Sequence, residues 1–305
     1  MIYLDNAATT KPCDEAKAAV MKGLEVFGNP SSLHRAGLDA ELLVSDAREI
    51  IADALGVTPD EVYFTSGATE SNNTAIFGAY KAHGKRKKRV VISSVEHPAV
   101  KNPAQELEDM GCEVIRISPD ENGEINARDI FAAVNEDTFL VSCMLVNNEN
   151  GYILPVEKAF SMIKKKYPQV ITHCDCVQGF MKIPVKAKKL NADMISLSGH
   201  KIYAPKGFGA AVKKLAPNVS ANFEKAADIQ AYLIEKCNEN GDVFVNSRKG
   251  GSPYVTSIAV NGLKSEVLLH YLEKREIYVS SGSACSKGKK SSVLKEFRYP
   301  EQSLD

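Results

Sequence analysis

The chain has 305 residues, 44% apolar and 25% charged; that usage is ordinary for a globular protein and excludes a disordered or fibrous chain, and the length admits about two domains or one large α/β unit. Thirty-eight basic residues balance 38 acidic ones, so no overall positive field exists to hold nucleic acid or an anionic membrane. No apolar run reaches the roughly 18–20 residues that span a bilayer, and Met1-Ile2-Tyr3-Leu4-Asp5-Asn6 lacks the basic and apolar regions of a signal peptide, so a cytoplasmic protein is expected.

Hydrophobic periodicity predicts, in chain order, a helix over residues 45–55, a strand over 61–65, a helix over 71–82, a strand over 89–93, a helix over 98–110, a strand over 113–117, a helix over 127–134, a strand over 138–145, a helix over 156–166, and strands over 170–175, 194–198 and 209–213. Such alternation, with buried apolar strands, predicts an α/β unit whose mostly parallel sheet is flanked by helices. Ligands of such sheets bind at the carboxyl ends of the strands. After Lys214 the pattern changes to a helix over 223–240, strands over 242–246 and 255–261, a helix over 265–274 and a strand over 277–279. This part reads as a smaller α+β domain.

The seven cysteines are Cys13, Cys112, Cys143, Cys174, Cys176, Cys237 and Cys285. An odd number in a long chain without a secretion signal does not form a disulfide framework. His173-Cys174-Asp175-Cys176 holds a C-x-C pair, which invites a metal reading. In a strand, however, alternate residues share a face and neighbours do not. No metal site is assigned, and the pair reads as two small buried thiols.

Five segments carry chemistry. Tyr63-Phe64-Thr65-Ser66-Gly67-Ala68-Thr69-Glu70-Ser71 runs from a strand through a small-residue turn into a helix. Free N–H groups there, with the Thr69 and Ser71 hydroxyls, suit a phosphate; a plain capping box is the other reading. Ser196-Leu197-Ser198-Gly199-His200-Lys201 puts a lysine at a strand end, where it either forms a Schiff base or is solvated decoration. In the first case Ser198 and His200 would share the phosphate. Asp175 ends a strand with Gln178 one turn on; it serves either a protonated pyridine nitrogen or as an N-cap. His97, in Ser94-Val95-Glu96-His97-Pro98, either stacks on a flat ring and moves a proton or is structural beside a helix opened by Pro98. Ser280-Ser281-Gly282-Ser283-Ala284-Cys285-Ser286-Lys287 carries one cysteine in a small-residue loop. Its neighbours Lys287, Lys289 and Lys290 favour the thiolate, so Cys285 reads as a nucleophile. Together, a phosphate turn, a lysine, a carboxylate and a histidine at successive strand ends describe a pyridoxal 5′-phosphate site.

The whole ordered set resembles the cysteine desulfurases of the NifS/IscS type, in the class V group of fold-type I pyridoxal phosphate enzymes. Tyr3-Leu4-Asp5-Asn6-Ala7-Ala8-Thr9-Thr10 looks like the family's opening motif and Gly28-Asn29-Pro30-Ser31-Ser32-Leu33-His34 like the next. Thr65 to Ser71, Glu96-His97, Val146-Asn147-Asn148-Glu149, Asp175-x-Val177-Gln178, Ser198-Gly199-His200-Lys201 and Ser280 to Cys285 follow in family order. The resemblance implies a large cofactor-binding domain over residues 15–222. It also implies a small domain formed by 1–14 and 223–305 that carries the cysteine loop. Lys201 would hold the cofactor as an internal aldimine, and Ala68, Thr69, Ser198 and His200 would bind its phosphate. Asp175 would pair the pyridine nitrogen, Gln178 the ring oxygen, and His97 would stack on the ring, with Asn148 beside the ring oxygen and the substrate. L-cysteine would lose its Cα proton to Lys201, assisted by His97. Its sulfur would pass to Cys285 as a persulfide, leaving L-alanine. The implied partners are a sulfur-acceptor or iron–sulfur scaffold protein and a second copy of the chain.

Two departures from the family stand out. A Gly-rich stretch ending in Arg-Ser-Gly-Thr-Glu-Asn is reduced near Ala216-Pro217-Asn218-Val219 to its tail, and Asp305 precedes the segment bearing the family's carboxylate-binding arginine. The intact polypeptide is expected to carry both. The alternatives are a related class V lyase or aminotransferase, a selenocysteine lyase, and a non-catalytic sulfur-transfer scaffold. Transamination needs no thiol, so the cysteine loop speaks against an aminotransferase. A further alternative has Cys285 ligating a transferred iron–sulfur cluster together with a partner's ligands.

Overall fold

The computed structural model describes residues 1–204, 208–282 and 291–300. A two-residue strand, β1 (Ile2–Tyr3), precedes helices α1 (Asp14–Glu25) and α2 (Arg35–Leu55). The His34 side chain caps α2 by accepting from the Gly37 N–H, and Gly56 ends it in the left-handed region at φ 73°, where only glycine carries no Cβ penalty. The alternating part follows: α3 (Ala68–His83), β2 (Arg89–Ser93), α4 (Pro98–Asp109), β3 (Glu113–Ile117), α5 (Ala127–Ala132), β4 (Thr138–Met144), α6 (Val156–Lys166), β5 (Ile171–Asp175), α7 (Ala187–Leu190) and β6 (Met194–Ser196).

These five strands form one parallel sheet in the order β3-β2-β4-β5-β6. Every residue of β4 is buried, as expected of a central parallel strand covered on both faces. One face holds Val91, Val141, Cys143 and Cys174 in a core with Phe160, Ile163 and Phe180. The other packs Val90, Ile92 and Leu140 against Ile76, Val100 and Leu107 of α3 and α4. The strand order reverses between β2 and β4, so the crevice outside their carboxyl ends is the switch point where such sheets take ligands. Register aligns the ends: Met144 pairs with Asp175, and Asp175 with Ser196.

The rest of the chain comprises α8 (Phe208–Leu215), α9 (Val219–Asn238), β7 (Val243–Val245), β8 (Ile258–Val260), α10 (Ser265–Glu273), β9 (Ile277–Tyr278) and α11 (Ser292–Glu296). Strands β7 and β8 pair antiparallel, whereas β9 pairs in parallel with β1. Thus the C-terminal third recruits the N-terminus.

Two predicted strands are not strands. Residues 209–213 lie inside α8. Phe208, Ala211, Val212 and Leu215 recur at helical spacing, and Ala and Lys favour a helix over a strand. The helix packs closely on α2: a Cβ on Gly209 would stand 3.1 Å from the Ala47 Cα. Residues 61–65 begin in a 3-10 turn (Pro59–Glu61) and continue without a ladder partner, leaving Tyr63 80% exposed. With 209–213 helical, no neighbouring strand among the described residues extends the sheet to them. No predicted element covers β1, α1, α7 or α11; Cys174 and Cys176 are buried thiols with their Sγ atoms 3.4 Å apart. Among the described residues no helix is long and apolar enough to cross a membrane, and no group of three potential ligands could hold a metal.

Candidate active site

All nine residues predicted to hold a cofactor line one cavity of about 1380 Å³ at the carboxyl ends of the strands. Ala68 and Thr69 open α3. His97 follows β2, Asn148 follows β4, Asp175 ends β5 with Gln178 a turn later, and Ser198, His200 and Lys201 follow β6. Residues 133 positions apart in sequence thus face one space.

Gly67 is the N-cap of α3 and no side chain caps the helix. Glu70 reaches back instead to the Ser66 N–H at 2.6 Å. The capping-box reading therefore fails. Ala68 and Thr69, whose N–H groups belong to the first turn at the positive end of the helix, line the cavity. His200, another lining residue, has its Nδ1 3.2 Å from the Thr9 hydroxyl. Burial, then the charges of Lys201 and Lys182, hold its pKa below the usual value, so the ring is a neutral hydrogen-bonding group.

Asp175 is 5% exposed. Its Oδ2 accepts from Asn72 Nδ2 at 2.8 Å and its Oδ1 from the Val177 N–H at 3.0 Å. Burial raises its pKa, and the two hydrogen bonds, His97 and Lys201 only partly oppose that. Neither bonded partner is a cation, and Asn72 Oδ1 is buried with no partner among the described residues. His97 is the N-cap of α4, where its Nδ1 accepts from the Ala99 N–H at 3.1 Å. Burial lowers its pKa, so the neutral ring carries its proton on Nε2. Asn147 folds the turn that carries Asn148: its Oδ1 accepts from the Glu149 and Asn150 N–H groups, and its Nδ2 donates to the Val95 carbonyl.

Lys201 Nζ donates to the carbonyls of Ala7 and Ala8, both at 2.6 Å. Gln178 Nε2 donates to the same Ala7 carbonyl at 2.8 Å. Thr10 ties the segment down: its N–H and hydroxyl each donate to the His200 carbonyl at 2.8 Å, and its hydroxyl accepts from the Tyr203 N–H. Tyr203 stands at φ 66°, an uncommon conformation for a bulky residue and one that clusters at functional sites.

Cys285 lies outside the described residues. Ser280 and Gly282, just before that segment, line the cavity. Ser291, just after it, is buried and donates to Glu149 beside Asn148.

This donor set fits pyridoxal 5′-phosphate. Free helix N–H groups and hydroxyls suit a dianion, a buried carboxylate without a bonded cation among the described residues suits a protonated ring nitrogen, and the amine of Lys201 lines the same cavity.

Several contributors were missed. Asn72, one turn into α3, orients Asp175 and could have been found as a polar residue on a buried helical face. The Ala7 and Ala8 contacts use backbone carbonyls, which no side-chain pattern signals. Glu96 is fully buried beneath the site. Its Oε1 accepts from Ser93 Oγ and from the Met144 N–H, while its Oε2 has no partner among the described residues. Burial pushes its pKa up to about 8. A carboxyl whose folded pKa exceeds its unfolded value of 4.5 stabilises fully below that lower value, and the contribution is lost as pH rises towards 8. Replacing Glu96→Gln should remove this dependence. Denaturant titration at pH 5 and pH 8.5 is expected to show wild type losing several kcal/mol relative to the variant, at about 1.4 kcal/mol per pH unit across that window; parallel curves would refute a neutral buried Glu96.

Comparison with known proteins agrees with the geometry. Residues 2–223 match the model of the Aminotransferase class-V family. A NifS/IcsS protein homolog of Lactobacillus delbrueckii subsp. bulgaricus is 36% identical over 344 aligned positions, covering 99% of this chain and 89% of its own. The cysteine desulfurase IscS of Dictyoglomus turgidum is 33% identical, covering 98% of this chain and 86% of its own. A solved NifS-like protein superposes with a TM-score of 0.91 at 28% identity, over 99% of this chain and 91% of its own. The chain belongs to the class-V aminotransferase family. Within that family it falls among the NifS/IscS cysteine desulfurases. The 344 aligned positions of the Lactobacillus relative exceed the chain's 305 residues, so that relative carries residues without a counterpart in this sequence.

Proposed function

We propose that the protein transfers the sulfur of L-cysteine to Cys285 and releases L-alanine, with pyridoxal 5′-phosphate as cofactor. The carrying observation is the convergence of nine sequence-distant residues on one cavity at the sheet's switch point. The bound cofactor supplies an electron sink for the substrate Cα. Lys201 carries it and moves the Cα proton, assisted by neutral His97. Asp175 keeps the ring nitrogen protonated, Gln178 donates to the ring oxygen, and Asn148 lies beside ring and substrate. Ala68, Thr69, Ser198 and His200 hold the phosphate. The Cys285 thiolate attacks the substrate sulfur: an S–S bond forms, the substrate C–S bond breaks, and one thiol hydrogen ends on the persulfide and the other on the alanine methyl.

The reading includes a cytoplasmic homodimer that passes the persulfide sulfur to an acceptor such as an iron–sulfur scaffold protein. Exposed apolar side chains on and between α1 and α2 (Met21, Leu24, Phe27, Leu33, Leu38 and Leu42) support a subunit interface. It also includes a large unit over 15–222 and a small unit over 1–14 and 223–305, supported by the β1–β9 pairing.

Alanine formation from L-cysteine is expected to fall to background in Cys285→Ala, while the visible absorption of bound cofactor stays. Full activity in that variant would defeat the persulfide step and leave the cofactor assignment standing.

A further inference from the structure

Lys182 lies on the far side of Gln178 from the cavity, in the turn after β5, and is 5% exposed. Its Nζ donates to Gln178 Oε1 at 2.6 Å and stands 6.0 Å over the Tyr254 ring. Among the described residues no carboxylate pairs with it, and its bonded acceptor is a neutral amide. Burying an ammonium this way costs several kcal/mol, and lysines are almost never fully buried unless paired. Stability does not account for the residue.

Its contacts lead to the candidate catalytic lysine. Lys182 holds the oxygen of the Gln178 amide. The amide nitrogen then donates to the Ala7 carbonyl, which also accepts from Lys201. Because Lys182 can only donate, the Gln178 amide cannot flip without losing both bonds. One of its two N–H groups is taken by Ala7 and the other remains for the cavity. Lys182 and Lys201 also share the wall of a second cavity of about 380 Å³. Groups facing the pair are Asp175, His97 and His200 on the cofactor side, and Cys13, Tyr203, Tyr254, Lys214 and Lys225 around the second cavity. No carboxylate is among the described residues lining that second cavity.

We propose that Lys182 is a positioning residue of the active site: through Gln178 it fixes which face of the amide meets the cofactor ring, and it stands as a like charge beside the amine of Lys201 on the shared wall of the second cavity. The inference rests on the pyridoxal phosphate reading. Burial, then the charge of Lys201, pull the Lys182 pKa down to about 7.

The test is a pH titration of the visible absorption of bound cofactor in wild type, Lys182→Met, Lys182→Gln and Lys182→Arg, together with the melting temperature of each cofactor-free protein. The titration midpoint is expected to rise by about one pH unit in the Met and Gln variants, the usual effect of removing one nearby like charge, and to return towards wild type in the Arg variant. Cofactor-free Lys182→Met is expected to melt no lower than wild type, because an unpaired buried charge has gone. An unchanged midpoint in both neutral variants overturns the inference, as does a lowered melting temperature with no change in midpoint, which would mark a structural role. Wild type that shows no band after incubation with pyridoxal phosphate overturns the cofactor reading and this inference with it. A wild-type band with unmoved variants overturns this inference alone.

Discussion

Lys201→Ala protein incubated with pyridoxal phosphate is expected to show no band from a cofactor–lysine linkage and to lose cysteine-dependent alanine formation by on the order of 10³-fold or more, within the range that positioned proton transfer alone supplies. The local structure favours a releasable amine. The Ala7 and Ala8 carbonyls accept from Lys201 without neutralising it. They orient it towards the space bounded by His97, Asp175 and Gln178. A surface lysine would be flexible and hydrated; this one is tied to two backbone oxygens of a segment that Thr10 anchors to the same turn. Lys201→Arg separates the two roles of the side chain. It keeps the charge felt by Asp175 and the donors to Ala7 and Ala8 but forms no such linkage, so it should fail equally. A Lys201→Ala protein that retains a reducible linkage would move the attachment point to another amine, Lys182 being the nearest candidate in the network.

Much of the site was legible because each motif ended a predicted strand, and parallel sheets gather strand ends. The β-branched runs at 89–93, 113–117, 138–145 and 170–175 became β2, β3, β4 and β5 with their boundaries within a residue. Carboxyl-end placement then brought His97, Asn148, Asp175 and Lys201 together without any need to know the strand order. The two misread strands failed for different reasons. The run at 209–213 is short and apolar, and such a run fits helix and strand periods alike; Ala-Ala and Lys-Lys decided it locally. The run at 61–65 has β-propensity through Val62, Tyr63 and Thr65, but a strand exists only against a partner, and propensity says nothing of partners.

What stayed hidden was the support behind the contacting residues. Asn72 and Lys182 bond to the predicted residues Asp175 and Gln178, and Glu96 ties the ends of β2 and β4 together through Ser93 and Met144; none of the three roles follows from residue type alone. Gln178 and Lys182 are four apart, which places them on one side of a helical turn, but nothing in that spacing states that both are buried. The carbonyls of Ala7 and Ala8 are presented by backbone shape alone. Polar groups buried beside a site are where sequence patterning should mislead, because there binding outranks core hydrophobicity.

The second large effect concerns Asp175. Replacing Asp175→Asn keeps the volume and the acceptor for Val177 while removing the charge. A charge-assisted hydrogen bond contributes about 1.5–3 kcal/mol, so pyridoxal phosphate affinity should fall about 10- to 100-fold. Activity should fall further, because an unprotonated ring nitrogen draws electrons less well from Cα. Stability should move the other way. Burial raises the pKa of Asp175, and a carboxyl whose folded pKa lies above its unfolded one stabilises below the unfolded value and loses that contribution as pH rises through the folded one. At neutral pH the charged group therefore weakens the cofactor-free fold, and cofactor-free Asp175→Asn should melt at or above wild type. Wild type should overtake it only when cofactor is added, since a ligand stabilises in proportion to its occupancy of the native state. Melting curves for both proteins, with and without pyridoxal phosphate, decide the matter. If the variant melts lower without cofactor and shifts equally with it, Asp175 is a structural cap of the β5 turn and the ring-nitrogen assignment fails.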